Sequence, residues 1–579
     1  MKIQTLSGIV IRNKDTEFLR VYAGVIYYWL RSFFDTVYPN NNYEWFTNLY
    51  DWDSVEEVVD IILERDPDIL LVTFSIWNHV EHSKICELVR QKSKKIKIII
   101  GGPELNAKDI QSNFERFPFT DCLIYGDGES AFHQLMLRYE RDGFFTSGLN
   151  CAIPGENGFY QRFRYEDFPP YHIYTGSLYK QFKADNDYLR EKYSKLVEWS
   201  YETNRGCPYT CAFCDWASGL HHKVSKRDEN LIYEELDRLK PILRQVILRN
   251  NDANFGLLPR DEKLLKYLCE NIIPIRLSYW TKTKKPQLYK MWRMYDSLTK
   301  TLLDDFGQDI DPNFCISLQS LKKETLEAIK RPELEWKEHK KLVKSFYKDK
   351  INDHDPMRME LIQDLPLMTM YDYVYQLTEA CSIGVENLSF YVWEFLPNSP
   401  ANNIEFRNKY NINIVEGIYI TNTIELNKLN DLYDVKNWEN SYESSFLQNN
   451  NLTASERVFS NVLSVYFNHD PKNFTTNLEK NIGKLFVISE NVRKLVEKQE
   501  QVLGKYVWGI YQQKEKRMYP FEHFFRQFFN TGAEYRIKKE RWDFPQKDEI
   551  ELLIKSYLEV PTQPPNARLL SELSPHLSA

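Results

Sequence analysis

Short apolar runs alternate with amphipathic stretches from the start of the chain to about residue 145. "SGIVIRN" precedes a helical pattern over Tyr22 to Phe34, and Val55 to Arg65 forms a second helical pattern before the run "DILLVTF". A helix over His82 to Gln91, "IKIIIGG", a helix over Lys108 to Phe117, "DCLIYG" and a helix from Glu129 onward complete the series. Such alternation predicts a parallel, doubly wound α/β sheet of Rossmann-like type. Ligands of these sheets bind beyond the carboxyl ends of the strands. Those ends carry Thr73, Ser75, Trp77 and Asn78, then Gly101, Gly102 and Glu104, then Gly126 and Glu129. Glycines there let the backbone approach a large ligand closely.

The pattern lapses over residues 146–195, which read as a linker around "FRYEDFPPYHIYTG". It restarts over 196–400 with six candidate strands: "LVEWSYET", "QVILRN", "IRLSYW", "FCISLQ", "MRMELIQ" and "NLSFYVW". Helical patterns lie between them, predicting a complete or partial parallel barrel with its chemistry on the carboxyl-end loops. Just past those strands stand three cysteines, then Asn251, Asp252 and Asn254, then Lys282, then Gln319 and Ser320, then Asp364, then Glu394. Residues 401–579 read as a mostly helical, aromatic-rich region with a proline-rich tail. The expected layout is therefore a first domain over 1–145, a linker, a barrel over 196–400 and a helical carboxyl-terminal domain.

Composition agrees with a folded chain of several domains. Among 579 residues, 42% are hydrophobic and 15% aromatic, which excludes a disordered protein. A net charge of -7 gives no overall attraction for a polyanion, so nucleic acid is not an expected partner. The basic run Lys92 to Lys97 reads as a solvated helix end. No apolar stretch has the length of a membrane span and the amino terminus lacks a secretory pattern, so a cytoplasmic protein is expected.

Nine cysteines in such a chain are expected to be reduced thiols or metal ligands. Cys86, Cys122, Cys151, Cys269, Cys315 and Cys381 are scattered through apolar patterns and read as buried structural residues. Cys207, Cys211 and Cys214 are clustered in "ETNRGCPYTCAFCDW". Three thiolates spaced CxxxCxxC in one loop suit three irons of a cubane cluster and leave the fourth iron open. Gly206 and Pro208 favour a tight loop, and Phe213 is placed to shield it. A structural zinc site is the competing reading, with Asp215, His221 or His222 as fourth ligand, but the spacing is unusual for zinc and no second cysteine pair follows.

The cysteine loop resembles the signature of the radical S-adenosylmethionine superfamily. "TFSIWN", "IIIGGPE", "IYGDGES" and "NNDANFGLLPRD" are similar to segments of its subgroup with an amino-terminal cobalamin-binding domain. That resemblance implies a 4Fe-4S cluster on Cys207, Cys211 and Cys214, whose free iron chelates adenosylmethionine and whose electron cleaves it to a 5'-deoxyadenosyl radical. It implies adenosylmethionine contacts at Phe213, Asp252, Asn254 and Gln319. It also implies cobalamin contacts at Thr73, Ser75, Trp77, Asn78, Gly101, Gly102, Gly126 and Glu129. The implied activity is methylation of an unactivated carbon or phosphorus of a small molecule or peptide, with a flavodoxin or ferredoxin as reductant. A radical rearrangement or cyclisation keeps the cluster without methyl transfer, and a zinc-stabilised scaffold lies outside catalysis altogether.

Two departures from the subgroup bear on this reading. No DxHxxG motif is present, since His79 and His82 lie in "WNHVEHS", so cobalamin is expected without a protein imidazole on cobalt. The segment Asp364 to Thr369 reads "DLPLMT" where the family often has a "GLPGET"-like turn, and both glycines are replaced.

Overall fold

The computed structural model describes residues 1–418 except 8, 13–19, 24–25, 51, 53, 76–77, 195, 217–222, 278–284, 308–313, 332–335, 352–356, 386–387, 392 and 394. Beyond 418 it describes 443–448, 460, 463, 467, 474–475, 506–507, 509–512 and 517–520. Trp77, His221, His222, Lys282 and Glu394 therefore lie outside the described residues.

The chain opens with β1 (Lys2–Leu6), a hairpin of β2 (Ile9–Arg12) and β3 (Arg20–Ala23), and α1 (Ile26–Val37). Then follow β4 (Glu44–Trp45), α2 (Val55–Arg65), β5 (Ile69–Thr73), α3 (His79–Lys92), β6 (Lys97–Gly101), α4 (Ser112–Arg116), β7 (Cys122–Ile124), α5 (Gly128–Asp142) and β8 (Cys151–Ala152). The first sheet has the order β4-β1-β5-β6-β7-β8. It is parallel except at β8, which runs antiparallel to β7. "ILLVT" and "KIIIG" are continuous apolar runs because helices cover both faces of their strands. In α2 the Ser54 side chain caps the Glu57 N–H, while Val55, Val58, Val59 and Ile62 form the buried stripe.

Two expectations are corrected here. "SGIVIRN" does not join the first sheet: Lys2–Leu6 takes that place, and the hairpin of β2 and β3 adds instead to the second sheet. Residues 146–195 are not a bare linker either, since they contain β8 and the helix α6 (Tyr179–Tyr193). Phe163, Tyr165, Tyr171, Tyr174 and Phe182 from this stretch are buried in the core of the second lobe. Its aromatics are spaced to meet partners distant in sequence, which leaves no local period to read.

The second lobe contains β9 (Val197–Tyr201), the short pair β10 (Asn204–Arg205) and β11 (Ser225–Lys226), and α7 (Glu229–Leu239). Next come β12 (Val246–Asn250), α8 (Asp261–Glu270), β13 (Ile275–Arg276), α9 (Lys285–Phe306), β14 (Phe314–Gln319), α10 (Lys323–Ala328) and α11 (Trp336–Asp349). It closes with β15 (Met357–Ile362), α12 (Met370–Ser382), β16 (Leu388–Tyr391) and α13 (Ile404–Lys409). All six expected strands form, in two parallel arcs: β13-β12-β9 extended by β3-β2, and β14-β15-β16. One face of these strands packs on helices through Val197, Trp199, Tyr201, Leu248, Ile316, Leu318, Met359 and Leu361. The other face is polar: Arg276 pairs with Glu198 at 3.4 Å, while Ser317 and Arg358 bond Glu360 at 2.6 and 2.8 Å.

Among the described residues beyond 410, those at 460, 463, 467, 474 and 475 are helical. β17 (Asn413–Ile418), β18 (Glu443–Gln448) and β19 (Tyr506–Val507) form one sheet, and β20 (Gly509–Gln512) pairs with β21 (Arg517–Pro520). "YVWGIYQ" is rich in the aromatic and β-branched residues that favour strands.

Candidate functional site

The cysteine loop is closed at its neck by the antiparallel pairing of β10 and β11, soon after the end of β9. Its stem is fixed by Asp252, which follows β12. Asp252 Oδ1 accepts the Thr203 and Asn204 backbone N–H groups at 2.7 and 3.1 Å, and Oδ2 accepts the Thr203 hydroxyl and Asn204 Nδ2, the latter at 2.8 Å. A carboxylate offers about four acceptor sites, and these four donors take them all. Asp252 thus orients the stem of the loop.

Inside the loop, the Ala212 N–H donates to Ile329 O at 3.0 Å, and Ala212 O accepts the Ala401 N–H at 2.8 Å. Cys211 is buried, whereas Cys207 and Cys214 are half-buried. Cys214 Sγ accepts the Trp216 N–H at 3.4 Å, and burial pushes its thiol up to about 12. A metal ion binding there displaces that proton. The buried Arg331 guanidinium lies 5.6 Å over the Phe213 ring and faces all three thiols, so a cation is built in beside them.

Among the described residues no three His, Cys, Asp or Glu side chains converge on a single-ion point.

A cavity of about 660 Å³ lies between the cysteine loop and the carboxyl ends of β5, β6 and β7, within the size range of ligand pockets. Thr73, Gly101, Gly102, Gly126 and Glu129 line it from the first lobe, and Phe213, Cys214, Asp215, Trp216 and Asn398 line it from the second. Gly102 has φ +116, and a Cβ there would stand 2.2 Å from Phe74 O, so only glycine allows this wall.

Two clasps hold the lobes together beside the cavity. Arg205 Nη1 bonds Asp127 and Glu129 at 2.9 and 3.0 Å, and Nη2 bonds Glu129 and Glu202 at 2.8 and 2.9 Å. Its guanidinium also lies 4.8 Å over the Trp29 ring. Burial pushes the Glu202 carboxyl up to about 7 against the pull of Arg205. On the other side, Asn398 Oδ1 accepts the Ala107 N–H at 2.8 Å and its Nδ2 donates to Leu105 O at 2.9 Å.

Several expected ligand residues are placed elsewhere. Ser75 and Asn78 bond each other, with the Ser75 N–H donating to Asn78 Oδ1 at 2.7 Å, and neither lines the cavity. Asp252 and Asn254 follow β12 and Gln319 ends β14, and none of the three lines this cavity. His82 is buried and donates from Nδ1 to Thr73 O at 2.8 Å, and burial pulls its imidazole down to about 4. His79 turns likewise to Ser75 O at 3.2 Å. Neither imidazole lines the cavity. Sequence reasoning missed Arg205, Trp29 and Asn398. The one available signal was the position of Arg205 immediately before the Gly206-Cys207 step.

The first lobe and the cysteine loop lie in the part of the chain that resembles known cobalamin-dependent radical S-adenosylmethionine proteins in sequence. Residues 42–136 match the family model for the B12 binding domain. The chain is 28% identical over 381 residues to the 2-(S-pantetheinyl)-carbapenam-3-carboxylate methyltransferase of Streptantibioticus cattleyicolor, covering 62% of this chain and 52% of that protein. It is 28% identical over 383 residues to the cobalamin-dependent radical SAM methyltransferase TokK of Streptomyces tokunonensis, covering 62% of this chain and 51% of that one. The matched stretch thus spans about half the length of these curated relatives. The fold resembles that of the cobalamin-dependent S-adenosylmethionine radical enzyme OxsB, solved with aqua-cobalamin and S-adenosylmethionine bound. The TM-score is 0.55 at 14% identity, covering 87% of this chain and 71% of the other.

Proposed function

We propose that this protein is a cobalamin-dependent radical S-adenosylmethionine methyltransferase acting on an unactivated carbon or phosphorus of a small molecule or peptide. The observation that carries this reading is the shared cavity: the glycine-bearing strand ends of the B12 binding domain face Phe213 and Cys214 across one enclosure. The relatives named as methyltransferases favour methylation over rearrangement.

In this reading Cys207, Cys211 and Cys214 hold the 4Fe-4S cluster, and Thr73, Gly101, Gly102 and Gly126 form the cobalamin wall. When bound, the cluster supplies the electron that cleaves adenosylmethionine, and cobalamin carries the methyl group. Arg331 balances the thiolate charge, and Phe213 with Trp216 excludes water from the cluster side of the cavity. Asp252 keeps the loop in shape. With His79 and His82 turned to backbone carbonyls, cobalamin binds without a protein imidazole. Asn254 and Gln319 remain the adenosylmethionine contacts at the mouth of the strand arcs. A flavodoxin or ferredoxin serves as the reductant.

Anaerobic reconstitution with iron, sulfide and cobalamin tests this directly. About four irons per chain and the absorbance of bound cobalamin are expected, followed by transfer of a deuterated methyl group from labelled adenosylmethionine to an accepted substrate. Cleavage of adenosylmethionine giving an isomerised, unmethylated product would favour the rearrangement reading instead.

A further inference from the structure

Two cysteines that lie far from the cysteine loop in sequence meet in the first sheet. Cys122 opens β7 and Cys151 opens β8, and these strands run antiparallel with Ile124 opposite Cys151. Residues two apart on a strand share a face. Cys122, Ile124 and Cys151 therefore project together into one apolar cluster, with Phe132, Leu135 and Met136 of α5. The Cys122 thiol donates to the Cys151 sulfur there.

Arg138 of α5 sets this pair apart from plain core. Its Nη2 donates to Cys151 Sγ at 2.8 Å and to Thr146 O at 3.4 Å, and its Nε donates to Thr146 Oγ1 at 3.2 Å. Among the described residues no carboxylate is hydrogen-bonded to this guanidinium, so the sulfur is the acceptor placed to balance its charge. A neutral thiol sulfur accepts weakly, whereas a thiolate beside an arginine is favoured. The bond from Cys122 and the charge of Arg138 outweigh burial and pull the Cys151 thiol below its ordinary value. Burial pushes the Cys122 thiol well above its own. One sulfur is thus poised as a nucleophile, and its neighbour keeps the proton and stands ready to resolve the product.

The pair also lies where a small oxidant can arrive. β8 is two residues long and is the last strand of its sheet. Cys151 is buried, but the groups against its sulfur are Arg138 and, at 3.7 Å, Thr146 O, both from half-buried residues. Arg138 lies flat on Gly148, where a Cβ would stand 2.6 Å from the guanidinium carbon. A cover of one side chain and one short stretch at a sheet edge opens at small cost in free energy.

We propose that Cys151 and Cys122 are a redox-active dithiol that hydrogen peroxide converts to a disulfide. The Cys151 thiolate attacks one peroxide oxygen, the O–O bond breaks, and the hydroxide that leaves takes up a proton to become water. The Cys122 thiol then attacks the sulfenic acid, an S–S bond replaces the S–O bond, and a second water leaves with the Cys122 proton. The two thiols lose two electrons and two protons, and the peroxide gains them. A small thiol reverses the change by exchange.

The test treats the full chain, with its cluster reconstituted anaerobically, with hydrogen peroxide, then blocks free thiols by alkylation and maps the peptides by mass. The peptides of Cys122 and Cys151 should appear joined, and dithiothreitol should restore both thiols. Cys122→Ser should stop at the Cys151 sulfenic acid, which dimedone traps. Arg138→Met should form the bridge about tenfold more slowly, because less of Cys151 is thiolate. Free Cys122 and Cys151 in a chain whose loop cysteines are already oxidised overturns the proposal, as does a Cys151 bridged to any other cysteine. An unchanged rate in a folded Arg138→Met overturns the thiolate assignment. The peptide map of the parent decides the bridge by itself, so a variant that does not fold leaves the test standing. Its readout uses neither iron nor cobalamin, and its failure is distinct from failure of the function proposed above.

Discussion

Arg205 holds Glu129 through both guanidinium Nη atoms, at 3.0 and 2.8 Å, and so ties the residue before the cysteine loop to the helix that opens beside the cobalamin wall. Each partner is largely buried, Arg205 at 13% and Glu129 at 3% side-chain exposure. Removing the guanidinium would strand Asp127, Glu129 and Glu202 together in a dry site. Arg205→Gln should therefore lower stability by about 3–5 kcal/mol. Chemical denaturation of the cofactor-free chain measures it, and a loss below about 1 kcal/mol would show that this clasp does not secure the two lobes.

Asp252 acts on cluster assembly through the loop it holds. Asp252→Asn keeps one oxygen for the Thr203 and Asn204 backbone N–H groups but turns an NH2 group toward the Thr203 hydroxyl and the Asn204 Nδ2. The expected result is a folded protein that takes up less than half the parent's iron. Parent-level iron with weakened adenosylmethionine binding would return Asp252 to the role of a direct ligand.

The opposite clasp should separate cobalamin from the cluster. Asn398→Ala leaves the Ala107 N–H and Leu105 O without their partner, at a cost of roughly 1–3 kcal/mol if they stay dry. Cobalamin affinity should fall about tenfold while iron content is unchanged. Equal losses in both would mean that the variant loosens the whole fold.

Acid should stabilise two buried carboxyls of this protein. Burial raises Glu202 from 4.5 to about 7 and Asp261 from 3.8 to about 7. Asp261 Oδ2 accepts the Gly256 and Leu258 N–H groups, each at 2.9 Å, while Oδ1 is buried without a hydrogen-bond partner, as suits a protonated oxygen. Between these values the folded chain holds protons that the unfolded chain releases. The stability from these groups is therefore full below about 4 and is lost as pH rises through about 7. Asp261→Asn should flatten the slope of unfolding free energy between pH 5 and 8, and an unchanged slope would exclude Asp261 as its source.

Local pattern alone determined a good part of this protein. The apolar runs at Ile69–Thr73 and Lys97–Gly101, the six parallel strands of the second lobe and the three cysteines in one loop were all legible. Period and spacing are properties of neighbouring residues, and they survive without any knowledge of the fold. The hairpin of β2 and β3 leaves the first sheet for the second because its partner strand begins at Val197, far along the chain. Asp252 serves the loop because four donors from Thr203 and Asn204 reach it. Arg205 and Asn398 became clasps only where distant carboxylates and carbonyls came within hydrogen-bond reach. A polar side chain's role depends on what lies within about 3 Å of it, and only the tertiary structure decides that.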